Sequence, residues 1–460
     1  MVVRLHEADD GDKTGTMAGE PSRPSSAHLR PGLVLAYAPE LDGVPPVVLF
    51  ESAPVIVGRE PPPGGAKLPL TSVSRLHARL ERHGDRCTVH DLGSRNGVLV
   101  RGRKIDSAEL RPGDDVRIGD AVFIFREDGA DAFVGSRADG TLDRPFPYAS
   151  IACGPLTRRL FEELVPIAGS EIPVLVLGET GTGKELVAEA IHAASGRSGA
   201  MRALNCAAIP ASLVESELFG FKKGAFTGAD RDHAGIVRAA HGGTLFLDEI
   251  GDMPADIQPK LLRLLESREV SPVGAEKTER VDVRIVCATH ADLDDAVKHK
   301  RFRADLFSRI RGHVVSLPPL RDRKEDLYRL VRAVLARLGR PEATFTTAFM
   351  MALVRYDWPF NVRELVAVLR RALVLAQPTE ALDVKHLPDD VTEARASKRP
   401  PAFMASEEAK PPIPTADEMR EALKQHGGNV AALARIYQRD RSLIHRWLKQ
   451  HGISPEDYRQ

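Results

Sequence analysis

The stretch IPVLVLGETGTGKE, residues 172–185, restricts the fold of this chain more than any other. An apolar run gives way to Gly178, Gly181 and Gly183, and Lys184 follows just before a helical pattern begins. Glycines let the backbone curl so that several N–H groups face one oxyanion, and the lysine adds a point charge. The spacing predicts a phosphate-binding loop between a buried parallel strand and a helix. A glycine-rich turn that binds no nucleotide is the alternative.

A second element, GGTLFLDE, lies some seventy residues further on, at 242–249. Its strand-like run ends in Asp248 and Glu249. Beside a phosphate loop, one carboxylate can hold Mg²⁺ while the next orients an attacking water. Two acids at a solvated strand end are the alternative. The pair together with the loop predicts an α/β nucleotide hydrolase.

Composition limits the class of protein. A chain of 460 residues predicts about three domains. Lys plus Arg (64) balances Asp plus Glu (64), so any nucleic-acid contact requires a local basic patch. The four cysteines form no CxxC pair, and we expect buried apolar residues rather than a zinc site or disulfides. The chain shows neither a membrane-length apolar run nor a secretory pattern at its start, so a cytoplasmic protein is expected.

Shifts in pattern predict a multidomain protein. An all-β sandwich, an α/β domain with a helical lid and an all-α unit follow one another, and polar or proline-rich segments separate them. The predicted bounds are 1–30 for a disordered tail, 31–127 for the sandwich, 128–147 for a linker, 148–390 for the α/β domain with its lid at about 323–390, 391–414 for a second linker and 415–460 for the helical unit.

Six motifs carry a family resemblance. They are GETGTGKE, ELFGFKKGAFTGA, GGTLFLDEIGDMP, FRADLFSRI, LPPLRDR and WPFNVREL. In order and spacing they resemble the central AAA+ ATPase domain of bacterial sigma-54-dependent transcription activators, over about residues 148–390. The resemblance implies ATP and Mg²⁺ as cofactors, a homo-oligomeric ring, usually a hexamer, and remodelling of RNA polymerase that holds sigma-54. The family also carries Glu after the loop lysine, so Glu185 does not indicate a dead site.

The resemblance also implies residue roles. Asn205 holds Glu249, Thr289 is the first sensor of the γ-phosphate, and Arg363 is the second. Arg303 and Arg309 are arginine fingers offered to a neighbouring subunit, where a fixed guanidinium stabilises the spreading negative charge. The residues implied in nucleotide binding are Gly178, Glu179, Thr180, Gly181, Thr182, Gly183, Lys184, Glu185 and Arg363. Those implied in contacting sigma-54 are Gly224, Ala225, Phe226, Thr227, Gly228 and Ala229.

Phe226 poses a question of its own, because it is the one aromatic among small residues in GAFTGA. Flanking glycines suit a slim hairpin, which makes Phe226 the apolar tip and Thr227 its hydrogen-bonding neighbour. A buried anchor is the alternative role for Phe226.

Two positions depart from the family pattern. His290 stands where the family commonly has Asn, and Phe360 where it has Gly. His290 either changes how the sensor loop responds to hydrolysis or is a neutral exchange, and we favour the neutral exchange. Phe360 must avoid the positive φ that glycine tolerates, so the turn before the lid helix is expected to differ locally.

The N-terminal sandwich carries VIVGRE, SVSRLHARL and DLGSRNGVLV, which resemble a forkhead-associated (FHA) domain. That family reads phosphothreonine in proteins or peptides, here from a Ser/Thr kinase pathway. A guanidinium, a hydroxyl and an amide suit such a ligand. The residues implied in peptide binding are Arg59, Ser74, Arg75, Arg95 and Asn96. His77 is expected to be an internal hydrogen-bonding residue, and a sandwich with a decayed pocket is the alternative.

The C-terminal unit resembles a Fis-type helix-turn-helix, which implies enhancer DNA as a partner. Between 427 and 451 five Lys or Arg stand against one acid. A basic second helix fits the major groove, whereas a helical hairpin with a solvated basic face is the alternative. The residues implied in DNA contact are Arg439, Arg441, Ser442, His445, Arg446 and Lys449.

Two other classes of protein compete with a sigma-54 activator. A phosphopeptide-binding scaffold would need a decayed ATPase site, yet Lys184, Asp248 and Glu249 are present. A remodelling ATPase with another client would need neither the GAFTGA loop nor a DNA-binding end. The sequence therefore favours the activator.

Overall fold

The computed structural model describes residues 30–137, 152–226, 229–275, 277–377 and 379–393. From the C-terminal part it describes 416–426 and the single residues Val430, Leu433, Leu448, Ile453, Ser454 and Tyr458. Contacts divide the chain into two compact units, Met1–Ser397 and Lys398–Gln460. The first unit holds the sandwich, the α/β domain and its lid.

The N-terminal sandwich consists of short strands between turns. They are β1 Gly32–Tyr37, β2 Val47–Leu49, β3 Val55–Gly58, β4 Ala66–Lys67, β5 Ala78–His83, β6 Arg86–Asp91, β7 Val98–Val100, β8 Arg103–Ile105, β9 Ser107–Glu109, β10 Asp115–Ile118 and β11 Ala121–Arg126. One sheet has the order β2-β1-β11-β10-β7-β8 and the other β4-β3-β5-β6-β9. The prediction of an all-β sandwich is confirmed.

Successive side chains of β11 belong to two different apolar cores. Phe123 and Phe125 point into the sandwich, where Phe50 meets Phe125 edge to face at 5.6 Å. Val122 and Ile124, one residue out of step, belong instead to the core of the helical lid. A strand buried on both faces reads as a continuous apolar run, as AVFIFR does.

The structure shortens the linker predicted for 128–147. Ala130–Phe133 forms a 3₁₀ helix, and Ala130 and Phe133 are buried against Val34 of β1. Two apolar side chains therefore attach this segment to the sandwich. The rest of the predicted linker, from 138, lies outside the described residues.

The central domain has a parallel sheet whose strand order is β13-β14-β17-β12-β18. Its strands are β12 Val174–Leu177, β13 Met201–Asn205, β14 Thr244–Asp248, β17 Arg284–Thr289 and β18 His313–Ser316, and the short pair β15 Glu269–Val270 and β16 Glu279–Arg280 lies apart from it. Apolar clusters cover both faces of the sheet. Crossover helices on both sides are what a parallel sheet requires, and the predicted α/β fold is confirmed.

The connecting helices bring the loops to one edge. They are α1 Pro155–Ala168, α2 Lys184–Ala194, α3 Ala211–Phe219, α4 Gly235–Ala239, α5 Gln258–Ser267, α6 Leu293–Lys298 and α7 Ala304–Ile310. Because all five strands run the same way, their carboxyl ends and the segments after them meet at one edge of the sheet. In open α/β sheets that edge is where ligands bind.

The lid is helical and packs around a buried tryptophan. Its helices are α8 Leu327–Arg337, α9 Thr347–Arg355, α10 Asn361–Leu375 and α11 Asp389–Thr392. Trp358 is fully buried, and its indole N–H donates to the Leu353 carbonyl at 2.9 Å. Such a partner is what a buried indole needs.

The sandwich packs directly against this lid. Tyr37 places its ring 6.1 Å from that of Tyr328 and 5.8 Å from that of Phe345. At the edge of the contact Arg355 pairs with Asp115 at 3.2 Å. An apolar centre with ion pairs around it is typical of a stable interface.

In the second unit, α12 spans Ala416–Gln425. Leu423, Leu433, Leu448 and Ile453 form a small apolar cluster. Two of them, Leu433 and Leu448, are residues whose helical spacing predicts a shared core. None of the helices in the described part of the chain is long and apolar enough to cross a membrane.

Replacing Tyr37 with Ala should loosen the contact between sandwich and lid. A large buried ring is lost, and such changes cost about 3–5 kcal/mol in well-packed cores. We expect faster amide hydrogen exchange in both β1 and α8. Leu76→Ala, an exposed position of the same sandwich, serves as the control and should leave α8 unchanged. Unaltered exchange in α8 of the Tyr37 variant would contradict this account of the interface.

Candidate functional site

Lys184 and Glu249 meet at the carboxyl edge of the parallel sheet. Lys184 begins α2 after β12, and Glu249 follows the last residue of β14. The Lys184 Nζ lies 3.3 Å from Glu249 Oε1, and both side chains are almost fully buried. The two motifs, which lie apart in the sequence, thus meet at this edge.

Backbone and side-chain bonds shape the loop between β12 and α2. Lys184 Nζ also donates to the Gly178 carbonyl at 2.9 Å, and the Thr182 hydroxyl donates to the Glu179 carbonyl at 2.8 Å. Position 181 requires glycine for two reasons. Its φ is +80°, and a Cβ there would lie 2.3 Å from the Phe360 carbonyl oxygen. The loop is therefore fitted against the lid as well as against the sheet.

Glu249 adopts an unusual backbone conformation, with φ 50° and ψ 50°. Left-handed backbone at a residue other than glycine costs free energy and occurs often at functional sites. The turn takes the Glu249 side chain away from the line of β14. Asp248, still on the strand, accepts the Glu249 N–H at Oδ1, 3.0 Å away.

The two neighbouring carboxyl groups have different electrostatic environments. Burial and the charge of Glu249 raise the pKa of Asp248, in spite of Lys184. Burial also acts to raise the pKa of Glu249, but hydrogen bonds from the His290 ring and backbone, together with Lys184, outweigh it and hold that pKa below its usual value. These contacts favour the ionised form of Glu249.

Asn205 does not contact Glu249 as the resemblance implies. Its amide donates to Asp248 Oδ2 at 3.1 Å. The reason is register, because β13 and β14 are parallel and place Asn205 directly opposite Asp248. Glu249 lies one residue beyond the strand and has turned away.

His290 contacts Glu249 instead. Its ring Nδ1 lies 2.7 Å from Glu249 Oε2, and its backbone N–H donates to the same oxygen at 3.1 Å. The residue follows Thr289, the buried last residue of β17, whose hydroxyl accepts the Ala291 N–H at 3.0 Å. His290 thus uses its hydrogen-bonding capacity on Glu249.

Sequence reasoning missed three residues that donate hydrogen bonds to the phosphate loop. Arg321 donates from both terminal nitrogens to the Glu179 carboxylate, at 2.9 and 2.6 Å. Asn361 donates to Glu179 at 3.2 Å and to the Thr180 carbonyl at 3.0 Å, and Arg323 donates to the Thr182 carbonyl at 2.9 Å. All three lie in the motifs LPPLRDR and WPFNVREL, of which only Arg363 was assigned a role.

The turn before α10 shows how Phe360 replaces glycine. Phe360 has φ −109°, as expected of a residue that must avoid positive values, and its side chain is 60% exposed. Its neighbours Trp358 and Asn361 take positive φ instead, at 52° and 54°. Arg363, one turn into α10, is exposed, and its Cβ lies beside Gly181. The predicted second sensor is therefore next to the phosphate loop.

The two predicted arginine fingers lie together at α7. Arg303 precedes this helix and Arg309 is near its end, and both are exposed. Arg303 forms a two-point contact with Asp305, at 3.0 and 2.7 Å. Their position on the surface suits contact with a neighbouring subunit.

The loop that contains GAFTGA is closed at its base. Gly224 N–H donates to the Ala229 carbonyl at 2.8 Å, and Ala229 N–H donates to the Phe226 carbonyl at 3.0 Å. Phe226 is 44% exposed and sets its ring against Phe221, with 4.9 Å between centroids. It is therefore not a buried anchor. Thr227 and Gly228 lie outside the described residues.

In the sandwich, the residues predicted to bind a phosphopeptide gather at the loops. The Arg95 N–H donates to the Ser74 hydroxyl at 3.1 Å, and the Asn96 amide donates to the Ser72 carbonyl at 2.7 Å. Gly58, beside Arg59, touches the same loop, because a Cβ there would lie 2.1 Å from the Arg75 carbonyl oxygen. All five predicted residues thus belong to three adjoining loops.

His77 has the internal role expected of it. It is fully buried, its Nδ1 accepts the Ser74 N–H at 3.0 Å, and its Nε2 lies 3.3 Å from the Gly97 carbonyl oxygen. Burial lowers the pKa of this histidine. The neutral ring therefore ties the Ser74 loop to the Asn96 loop.

The expectation of buried cysteines is confirmed at three of the four positions. Cys87, Cys206 and Cys287 are buried free thiols and Cys153 is half-buried. Within the described ranges no group of three or more His, Cys, Asp or Glu is arranged to hold a metal ion. The six residues implied in DNA contact, from Arg439 to Lys449, lie outside the described residues.

Comparison with protein families agrees with this geometry. Residues 151–316 match the sigma-54 interaction domain, 321–403 the AAA+ ATPase lid domain and 55–119 the FHA domain. The transcriptional regulatory protein GlrR of Escherichia coli is 38% identical over 323 residues, which cover 69% of this chain and 71% of that protein. The chain belongs to the sigma-54-dependent transcriptional activators. Its central domain is an AAA+ ATPase domain.

Other relatives of this activator are regulators too. The anaerobic nitric oxide reductase transcription regulator NorR of Citrobacter koseri is 41% identical over 317 residues. That match covers 66% of the activator and 63% of NorR. Among solved structures, NtrX from Brucella abortus in complex with ATP is 29% identical, with a TM-score of 0.49 over 66% of the activator and 70% of NtrX.

The ion pair between Glu179 and Arg321 should support nucleotide binding in the activator. The Arg321 hydrogen bond, against partial burial and with help from Asn361, holds the pKa of Glu179 below its usual value. A lowered pKa means that the stabilisation is complete above the unfolded pKa of about 4.3 and is lost as pH falls through the folded pKa. We expect Glu179→Gln to weaken binding of a fluorescent ATP analogue severalfold, and its loss of thermal stability relative to wild type to disappear at acid pH.

Glu189→Gln, an exposed change on α2, is the control for the Glu179 variant. It should alter neither affinity nor stability. A Glu179→Gln protein with wild-type affinity would show that the ion pair does not shape the loop.

Proposed function

We propose that the activator hydrolyses ATP to remodel sigma-54 RNA polymerase for promoter opening, under control of phosphothreonine recognition by its FHA domain. The observation that carries the proposal is the Lys184–Glu249 pair at 3.3 Å, in a domain that also presents a GAFTGA loop. Action in the cytoplasm, as a homo-oligomeric ring such as a hexamer, is part of the proposal.

Hydrolysis follows from the groups at the sheet edge. Lys184 and the loop N–H groups hold the β- and γ-phosphates. Glu249 orients a water and accepts its proton as the water oxygen bonds to the γ-phosphorus. The bond from that phosphorus to the β–γ bridging oxygen breaks, and ADP and phosphate result. Arg303 and Arg309 stabilise the transition state of the neighbouring subunit, and Arg363 and Thr289 register the γ-phosphate.

Asp248 has the chemistry to hold Mg²⁺. Each of its oxygens accepts one hydrogen bond, from Glu249 N–H and from Asn205, and each retains a lone pair. Mg²⁺ uses one or two carboxylates together with phosphate oxygens and waters, so the single acid fits. When bound, the ion neutralises charge on the phosphates.

The half-exposed Phe226 supports a contact role for the GAFTGA loop. Gly224, Ala225 and Ala229 form its slim base, and Thr227 and Gly228 complete it. We propose that this loop touches sigma-54 when ATP is engaged.

Thr227→Ala should separate the contact with sigma-54 from ATP hydrolysis. The resemblance gives Thr227 a contact with sigma-54 and no part in holding ATP, so we expect ATP turnover within about threefold of wild type. Open-complex formation on a sigma-54 promoter, measured by permanganate footprinting, should be lost. Loss of both activities would indicate a structural loop, and wild-type protein without ATPase activity would overturn the proposed function.

For the FHA domain we propose that Arg59, Ser74 and Asn96, with Arg75 and Arg95, bind phosphothreonine in a protein of a Ser/Thr kinase pathway. The Ser74 hydroxyl accepts from Arg95 N–H, which leaves its own proton for a phosphate oxygen. The loops are already held by His77. The site is thus formed before the ligand arrives.

Arg59→Ala should abolish phosphate-dependent binding. A guanidinium–phosphate contact is charge-assisted, so we expect at least a tenfold loss of affinity for a degenerate phosphothreonine peptide library, measured by fluorescence anisotropy. Arg82→Ala, exposed on β5, is the matched control and should bind normally. Equal binding of phosphorylated and unphosphorylated peptides by wild type would favour a decayed pocket.

We further propose that the C-terminal unit binds enhancer DNA as a helix-turn-helix, through Arg439, Arg441, Ser442, His445, Arg446 and Lys449. The local excess of basic residues supports this. The buried Leu433 and Leu448 are consistent with a small helical core.

A further inference from the structure

The position after the sensor threonine holds a histidine that touches the proposed base. The two contacts of His290 end on one oxygen, Glu249 Oε2, from the ring at 2.7 Å and from the backbone at 3.1 Å. An ionised carboxylate only accepts hydrogen bonds, so Nδ1 must carry the proton that it donates. Both donors therefore fix the same end of the carboxylate.

The other oxygen of Glu249 faces Lys184. Oε1 lies 3.3 Å from Nζ, which also donates to the Gly178 and Glu179 carbonyls. Phosphate oxygens compete for the same ammonium when a nucleotide enters the loop. Oε1 is then released, whereas Oε2 stays with His290. His290 therefore holds one oxygen of the Glu249 carboxylate, Oε2, while the other, Oε1, is free to bind a water.

Asn205 does not serve this purpose in the structure, because strand register places its amide on Asp248. Within the described residues, His290 is the only side chain besides Lys184 that is hydrogen-bonded to the Glu249 carboxylate. The contact also opposes the strain of the left-handed Glu249 backbone, since it ties that residue to the end of β17.

We propose that His290 is a positioning residue for ATP hydrolysis, holding Glu249 Oε2 so that Oε1 is aimed at the attacking water. The inference rests on the proposed role of Glu249. It assigns to His290 the contact that the resemblance gave to Asn205. His290 acts through Glu249 and needs no contact of its own with ATP.

Asparagine is a conservative replacement for His290, because its side chain offers a nitrogen donor at a similar position. In histidine Nδ1, and in asparagine Nδ2, the nitrogen is joined to Cγ and lies the same number of bonds from Cα. His290→Asn therefore keeps a donor near its present place, whereas His290→Ala removes it. His299→Ala, at an exposed histidine that contacts Asp295 and not Glu249, is the matched control.

The test is steady-state ATPase kinetics on the full chain, at a protein concentration where activity per subunit no longer rises. A hydrogen bond to a charged group, lost from the transition state, corresponds to about a ten- to hundredfold fall in rate. We expect His290→Ala to lower kcat by that factor with KM within about twofold. His290→Asn should recover to within about threefold of wild type, and His299→Ala should match wild type.

Affinity for a fluorescent ATP analogue and the thermal midpoint are measured alongside. Unchanged kcat in His290→Ala overturns the inference, as does a fall in kcat that comes with weaker analogue binding or a lower midpoint. Glu249→Gln distinguishes failure of the inference about His290 from failure of the proposed role of Glu249. If it is inactive while His290→Ala is fully active, the inference fails and the proposed function stands. If Glu249→Gln turns over normally, the proposed role of Glu249 itself fails.

Discussion

The nucleotide loop, the lid and the sandwich all depend on one short segment, residues 320–326. Arg321 and Arg323 donate to the phosphate loop, at the Glu179 carboxylate and the Thr182 carbonyl. From the other side Arg126 of the sandwich donates to the Asp322 carbonyl at 3.0 Å and pairs with Glu325 at 3.3 Å. Arg321 and Arg323 thus face the phosphate loop, whereas Asp322 and Glu325 face the sandwich. Hydrogen bonds and an ion pair from this one segment therefore join it to both the nucleotide loop and the sandwich.

This segment carries ionisable side chains although it is largely buried. Arg323 and Glu325 are each 6% exposed and Asp326 is 1% exposed. Buried charges are costly unless partners surround them. Asp326 has such partners, since it accepts the Gly154 N–H and the Thr157 hydroxyl, each at 2.7 Å. Removing one partner leaves an uncompensated charge, so the segment tolerates one arrangement much better than others. That property suits a junction between domains.

Sequence reasoning predicted the parts whose signals are local. The phosphate loop, the acid pair at the end of β14 and the alternating strands of the sandwich are each encoded within about ten residues, and all of them are present in the structure. Contacts between distant segments were missed or misassigned. Asn205 was assigned to Glu249 because nothing in LNCAA reveals that β13 is in register with Asp248. Likewise, no sequence pattern near Arg321 or Asn361 indicates that either residue contacts Glu179. The fold brings them together across more than 140 residues of sequence.

Because β11 contributes to two cores, the sandwich cannot be removed without affecting the lid. The inner side chains of β11 belong to the sandwich core, while Val122 and Ile124 complete the core of the lid. The FHA domain is thus also a structural cover for the lid of the ATPase domain. A shortened protein that begins after residue 127 would present a bare apolar surface on its lid, and exposed apolar surfaces of that kind promote association. The behaviour of such a protein would therefore report the loss of that cover together with the loss of the FHA domain.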